Sequence, residues 1–163
     1  MPTLNIATPT LSQLPKITTI LSQWTEIEEV NKYITRITNE INGQTQYNLH
    51  FFVGIIDNQV VGITGISDPL PLAKSFAQTP NPAELKILYI DGACHGQGFG
   101  RQLLEFIQTL ASNQGHTELL IRSANRYRGT AYGFYEKMGY TKLTILNPDT
   151  SNSMQLFSKL LPI

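Results

Sequence analysis

The residues whose types and spacing are best suited to chemistry lie together in Ala93-Cys94-His95-Gly96-Gln97-Gly98-Phe99-Gly100-Arg101. Glycines at alternate positions remove Cβ atoms along one edge of a turn, so successive main-chain N–H groups can point into open space and an anion can come close. An apolar run, Ile87-Leu88-Tyr89-Ile90, enters the stretch, and a helical pattern from Leu103 to Ala111 leaves it. A strand, a glycine-rich turn and a helix in that order bring the positive end of the helix dipole and its unpaired first-turn amides to one spot, which suits a phosphate. The alternative is a tight strand-to-helix connection that binds nothing. Two phosphate loops are set aside by their missing parts. A Walker loop ends Gly-Lys-Ser/Thr, whereas this one ends Gly100-Arg101-Gln102. A Rossmann turn needs Gly-x-Gly-x-x-Gly, whereas Gly96, Gly98 and Gly100 are spaced two and two, late in the chain.

Cys94 beside the turn offers a thiol for covalent acyl transfer, but no histidine–carboxylate relay is apparent around it. The three histidines, His50, His95 and His116, show no metal-ligand spacing, and no metal is expected.

The elements that must position this turn are legible from periodicity. Leu4-Ala7 alternates as a short strand. Leu11, Leu14, Ile17, Leu21 and Trp24 lie on one helical face, with Thr8 or Thr10 as cap and Pro15 forcing a late start or a bend. A second helix carries Ile27, Val30, Ile34, Ile37 and Ile41 and ends at Gly43. From His50 the period changes to that of a hairpin, Phe51–Ile56 and Val60–Ile66 around Asp57-Asn58. Asp68 to Pro82 has four prolines and no period, and reads as a long loop, either a mobile substrate flap or disordered. After the strand Leu85–Ile90, the glycine turn and its helix come a buried strand at Leu119–Ile121, parallel to the previous one because a helix separates them. A short helix, Ala131 to Met138, stops at Gly139. Tyr140–Leu146 and Ser153–Leu160 close the chain as an antiparallel pair around Asn147-Pro148-Asp149.

Composition narrows the classes. A chain of 163 residues suits one domain, 1–163, with a real core. Formal net charge is zero and there is no basic run, so neither nucleic acid nor an anionic membrane is an expected partner. The single Cys94 cannot form an internal disulfide, no signal peptide is expected, and no apolar stretch approaches the ~20 residues of a membrane helix. A cytoplasmic location is the simplest expectation.

His95-Gly96-Gln97-Gly98-Phe99-Gly100 resembles motif A of the GNAT N-acetyltransferase superfamily, Arg/Gln-x-x-Gly-x-Gly/Ala, with His95 in place of the usual first residue. Phe134-Tyr135-Glu136-Lys137-Met138-Gly139-Tyr140 is similar to motif B of the same family, commonly Phe-Tyr-Glu-Lys-Leu-Gly-Phe. The two motifs stand in the family's order and separation, and the order of elements matches over the rest of the chain. The resemblance implies an α/β (α+β) acyl-CoA N-acyltransferase fold, a mixed central sheet with splayed parallel strands flanked by helices. Many members carry an Asn seven residues before the tyrosine. Here Arg128 stands there, in an Arg-x-x-Ala-x-x-Phe-Tyr version that looks like some aminoglycoside and small-amine acetyltransferases.

The activity so implied is direct transfer of an acetyl group from acetyl-CoA to a primary amine of a small molecule or peptide. Main-chain amides of His95, Gly96, Gln97, Gly98, Phe99, Gly100 and Arg101 would grip the diphosphate, the strand edge at Leu88, Tyr89 and Ile90 would pair with the pantetheine arm, and Arg128 would join the cofactor site. Tyr135 matches the usual general acid. Since a free phenol has a pKa near 10 and a thiol near 8.5, proton transfer to the thiolate is uphill by roughly 2 kcal/mol, and the role includes a hydrogen bond to sulfur. Glu84, just ahead of the cofactor strand, is the candidate base, with a solvated carboxylate as the alternative; His95, Glu118 and His116 are further acceptors. A different class remains open, a CoA-binding sensor or interaction module of the same fold without transfer. Dimers would be unsurprising for this fold.

Overall fold

A computed structural model describes residues 2–162. The elements are β1 (Asn5–Ala7), α1 (Leu14–Trp24), α2 (Ile27–Ile41), β2 (His50–Ile56), β3 (Gln59–Ser67), α3 (Pro71–Lys74), β4 (Pro82–Ile90), α4 (Phe99–Asn113), β5 (Glu118–Ala124), α5 (Tyr132–Lys137), β6 (Thr141–Leu146) and β7 (Met154–Leu160). The strands form one seven-stranded mixed sheet in the order β1-β2-β3-β4-β5-β7-β6. β4 and β5 are parallel, as the intervening helix requires, and the pairs β1/β2, β2/β3, β5/β7 and β6/β7 are antiparallel. The expected mixed sheet flanked by helices is therefore present.

The chain divides into two compact units, one comprising residues up to Ser67 together with Lys86–Ile107, the other Asp68–Leu85 with the residues from Gln108 onward. In the first, α1 and α2 lay Ile17, Ile20, Leu21, Val30, Tyr33 and Ile37 against Phe51, Val53, Val60, Ile63 and Ile87 of the sheet. The first turns of α4 bury Phe99 and Leu103 with Leu4 and Val61. Val61 faces away from both Val60 and Ile63 because the β2/β3 register shifts between Gly54 and Ile55, opposite it. Pro15 lies in the first turn of α1, where its missing N–H costs nothing. The hairpin turn places Asp57 and Asn58 at φ 49° and 64°, the two positive values that a two-residue turn of this hand needs. Gly62 is closely packed: a Cβ there would stand 2.8 Å from Ile90 Cδ1 and 2.9 Å from Leu103 Cδ1, and those side chains would have to shift.

In the second unit, Ala73, Leu120, Leu146 and Leu156 form one cluster. Tyr132, Tyr135 and Tyr140 form another around Phe157, with ring centroids of Tyr132 and Tyr135 5.2 and 5.4 Å from it. The expectation of a mobile or disordered loop from Asp68 to Pro82 is corrected here. The segment contains α3, and its end is pinned by the buried Glu118, which accepts from Gln78 N (3.0 Å), Thr79 N (2.8 Å), Thr79 Oγ1 (3.0 Å) and Ser158 Oγ. Prolines hid the helix from a periodicity argument, although Pro71 sits in its first turn and is compatible with it.

Candidate active site

β4 presents its residues alternately. Ile87 and Tyr89 pack with the α1/α2 cluster, while Leu88 and Ile90 pack with Phe99 and Leu103. Asp91 N then donates to Val61 O at 2.8 Å, at the register shift, and the chain leaves the sheet in a 3-10 turn, Gly92–Cys94, capped by Asp91 Oδ1 accepting from Ala93 N at 3.1 Å. Gly96 and Gly98 follow at φ 79° and 81°, in the left-handed region that disfavours any side chain. Gly98 O accepts from Gln102 N at 3.2 Å, so α4 begins at Phe99. Gly100, read from the sequence as part of the turn, lies inside the first helical turn; the glycine stretch is thus half loop and half helix N-terminus.

Among the described residues no main-chain N–H from Gly96 to Arg101 donates to an acceptor in the chain. The last three are the unpaired amides of a helix start, at the positive end of its dipole. A Cβ built on Gly96 would meet nothing within 4 Å, so the turn is not plugged by side chains at that point. Phe99 is 3% exposed and its ring serves the core, while its amide stays with the row.

One face of α1 holds the entry to this turn. Lys16 Nζ donates to Asp91 Oδ2 (2.7 Å), Gln23 Nε2 to Asp91 Oδ1 (3.2 Å) and Gly92 N to Gln23 Oε1 (2.7 Å). Trp24 Nε1–H donates to Ile90 O at 2.8 Å, and its ring stacks on the exposed His95 with centroids 4.8 Å apart and planes 19° from parallel. The hydrogen bond from Lys16, then that from Ala93 N–H, holds the Asp91 carboxyl below the ordinary carboxylate range against the opposing effect of desolvation. Sequence reasoning missed Lys16, Gln23 and Asp91 entirely. It read Trp24 only as an apolar-face residue; an indole N–H at the C-terminal end of an amphipathic helix was the one available signal.

The other expected residues lie in the second unit. Tyr135 on α5 is 7% exposed. Its hydroxyl has no hydrogen-bond partner among the described residues yet is not sealed, since the only fully enclosed side-chain polar atom lacking a partner there is His116 Nδ1. Its neighbours differ: Tyr132 OH donates to Ser123 O (3.0 Å) and Tyr140 OH to Gln108 Oε1 (2.7 Å). Burial, with a smaller repulsion from Tyr127, raises the Tyr135 phenol well above its ordinary value. Arg128 is exposed and ends the 3-10 turn Asn125–Tyr127.

Glu84 departs from the alternative of a solvated carboxylate. It is fully buried, not solvated, and both oxygens accept from the Arg122 fork, Nε to Oε1 at 2.7 Å and Nη2 to Oε2 at 3.2 Å. The bidentate Arg122 fork stabilises the ionised form and fixes its orientation. Glu118 is likewise committed to Gln78, Thr79 and Ser158, and His50 Nδ1 lies 2.7 Å from Glu40 Oε2. Cys94 is half-buried against the Phe99 cluster.

A strand, a turn open at Gly96, a row of N–H groups without acceptors and a helix start suit the diphosphate of a nucleotide-like cofactor. Residues 47–142, more than half of the chain, match the family model described as acetyltransferase (GNAT) domain, and the chain belongs to that acetyltransferase family. Solved structures of like fold include a Desulfovibrio desulfuricans protein assigned to the GNAT family, 14% identical over 98% of this chain and 100% of that one, with a TM-score of 0.82. Another is PaiA N-acetyltransferase from Thermoplasma acidophilum in complex with coenzyme A, 15% identical over 98% and 99%, TM-score 0.69. A third is aminoglycoside 6'-acetyltransferase type Ii, 16% identical over 98% and 99%, TM-score 0.72. At these identities the likeness is one of fold. No curated protein sequence matches the chain.

Proposed function

We propose that this acetyltransferase takes the acetyl group of acetyl-CoA and transfers it directly to a primary amine of a small molecule or peptide. The observation that carries the reading is the row of N–H groups from Gly96 to Arg101 with no acceptor of their own, at a helix start and with open space at Gly96. Coenzyme A would supply the acyl thioester and a diphosphate for that row. Family resemblance adds main-chain pairing of the pantetheine arm at Leu88, Tyr89 and Ile90; the Ile90 carbonyl already accepts the Trp24 N–H. The fold shared with an aminoglycoside acetyltransferase and a CoA-bound N-acetyltransferase supports an amine acceptor.

Tyr135 acts in this reading as the donor to the leaving sulfur. Its hydroxyl is unpartnered in an otherwise buried ring, so a hydrogen bond to a thiolate would satisfy it. Because burial raises the phenol, full proton transfer to the thiolate becomes more uphill, and the phenol works by stabilising negative charge on sulfur. Arg128 is retained as a cofactor contact. Glu84 is reassigned from base to a positioning partner of Arg122, and the ammonium proton leaves to water.

That reassignment also favours a second reading, a CoA-binding module that transfers nothing. Calorimetry with CoA, followed by thiol release from acetyl-CoA with polyamines, aminoglycosides, amino acids and peptides, decides the matter. Binding plus thiol release with one amine class is the expected result. Binding with no release for any amine gives the second reading, and no binding removes both.

A further inference from the structure

Nothing inside the glycine stretch explains why it keeps its shape. It has two residues at positive φ and no internal main-chain bond from Gly96 to Arg101, so by itself it would sample many conformations and lose that freedom on gripping a ligand. What holds it comes from outside. On one flank Phe99 and Leu103 are buried in the core. On the other, α1 reaches four points of the entry: the Ile90 carbonyl, the Asp91 carboxylate, the Gly92 amide and the His95 ring. Trp24 supplies two of these with one rigid group. Its N–H fixes the last carbonyl of β4, and its face fixes the residue immediately before Gly96, five positions further on.

Resting on the diphosphate reading above, we infer that Trp24 is a positioning residue for the cofactor turn, acting through His95. The stack orients the peptide that carries His95 into Gly96, and hence the first amides of the row. His95 also stands where the family motif has Arg or Gln, longer side chains without a ring. An imidazole there provides a flat surface that Trp24 can lock, so the two residues form one device. The diphosphate end of the cofactor should feel this device, and the pantetheine end should not.

The test compares wild type with Trp24→Phe, Trp24→Ala, His95→Ala and the Trp24→Ala/His95→Ala double variant. Read-outs are the calorimetric Kd for CoA, steady-state kinetics with acetyl-CoA and with acetyl-pantetheine, which lacks the diphosphate, and thermal melting. The expected result is a Kd for CoA and a KM for acetyl-CoA raised about tenfold in Trp24→Ala and in His95→Ala, a larger change than any in kcat. The double variant should be no worse than either single one, because the pair acts as a unit. Trp24→Phe keeps a stacking face and loses the N–H donor, and should fall about threefold. The loss in kcat/KM with acetyl-pantetheine should be smaller than the loss with acetyl-CoA in every variant. His95 is exposed, so His95→Ala and Trp24→Phe carry the test if Trp24→Ala does not fold. Folded variants with unchanged Kd, equal losses with both donors, or a double variant whose loss is the product of the single ones would each overturn the inference. Wild type that fails to bind CoA would overturn the diphosphate reading and this inference together; wild type that binds, with variants that bind as well, overturns the inference alone.

Discussion

Three tyrosines share one aromatic cluster, and only one has a hydroxyl left for a ligand. Tyr135→Phe should keep the ring packing against Phe157 and Tyr140, since the deleted oxygen has no partner among the described residues. We expect kcat to drop about 10- to 100-fold with the Kd for CoA unchanged, checked by steady-state kinetics and calorimetry. Burial raises this phenol, so it remains protonated across the working range. The kcat profile should therefore show no alkaline limb from Tyr135 below about pH 10, the ordinary phenol value. Asp91 shifts the other way. Its folded pKa lies below the unfolded one, so its stabilising contribution is complete above about pH 4 and fades as pH falls toward the folded value. Lys16 is 40% exposed on its side chain, so solvent screens the pair, and Asp91→Asn should cost on the order of 1 kcal/mol at neutral pH. The same variant should flatten the acid limb of a melting-temperature profile.

At the level of elements, the parallel pair β4/β5 carries an ion pair at its paired end. Glu84 lies opposite Leu120 in register, and Arg122 directly follows Ile121, the β5 residue paired with Leu85. Glu84→Gln should lower stability by about 3 kcal/mol in denaturant titration, because it takes the carboxylate away from a largely buried guanidinium. The shape of the kcat/KM profile should not change; loss of its basic plateau would restore Glu84 as base. The glycine turn makes a second prediction: Gly98→Val puts a β-branched side chain at φ 81° and should abolish measurable CoA binding. What the sequence disclosed at this scale follows from what is local. Strand–turn–helix order, the positive-φ Asp57-Asn58 turn and the amphipathic faces of α1 and α2 are written in neighbouring residues. The Lys16–Asp91, Trp24–His95 and Glu84–Arg122 partnerships join residues 38 to 75 positions apart or held by a stack, and no spacing rule announces them. The burial of Glu84 was not legible because a carboxylate at a strand start is commonly solvated, and its partner Arg122 comes from a distant element.

For the whole molecule, we retain one folding domain over 1–163 as a proposal, although two compact units can be delineated within it. β4 and α4 each contribute residues to both units, and dividing α4 at Ile107/Gln108 would break the i→i−4 hydrogen bonds that run across that point. A single cooperative melt is therefore expected. CoA at a hundred times its Kd should stabilise the fold by about 2.7 kcal/mol, which moves the midpoint of a chain this size by roughly 5–10 °C. Two transitions, only one of which responds to CoA, would show the units melting separately. No helix among the described residues is long and apolar enough to cross a membrane, and the equal numbers of acidic and basic side chains give no general field for steering a charged acceptor.

Trp24 is the only tryptophan in the chain, and it sits face to face with His95, the residue ahead of the row of amides proposed to hold the diphosphate. The molecule thus carries an intrinsic fluorophore at the spot where a nucleotide would arrive. If the proposed cofactor docks there, a change in the emission of this stacked indole would give a label-free optical gauge of occupancy and of docking speed.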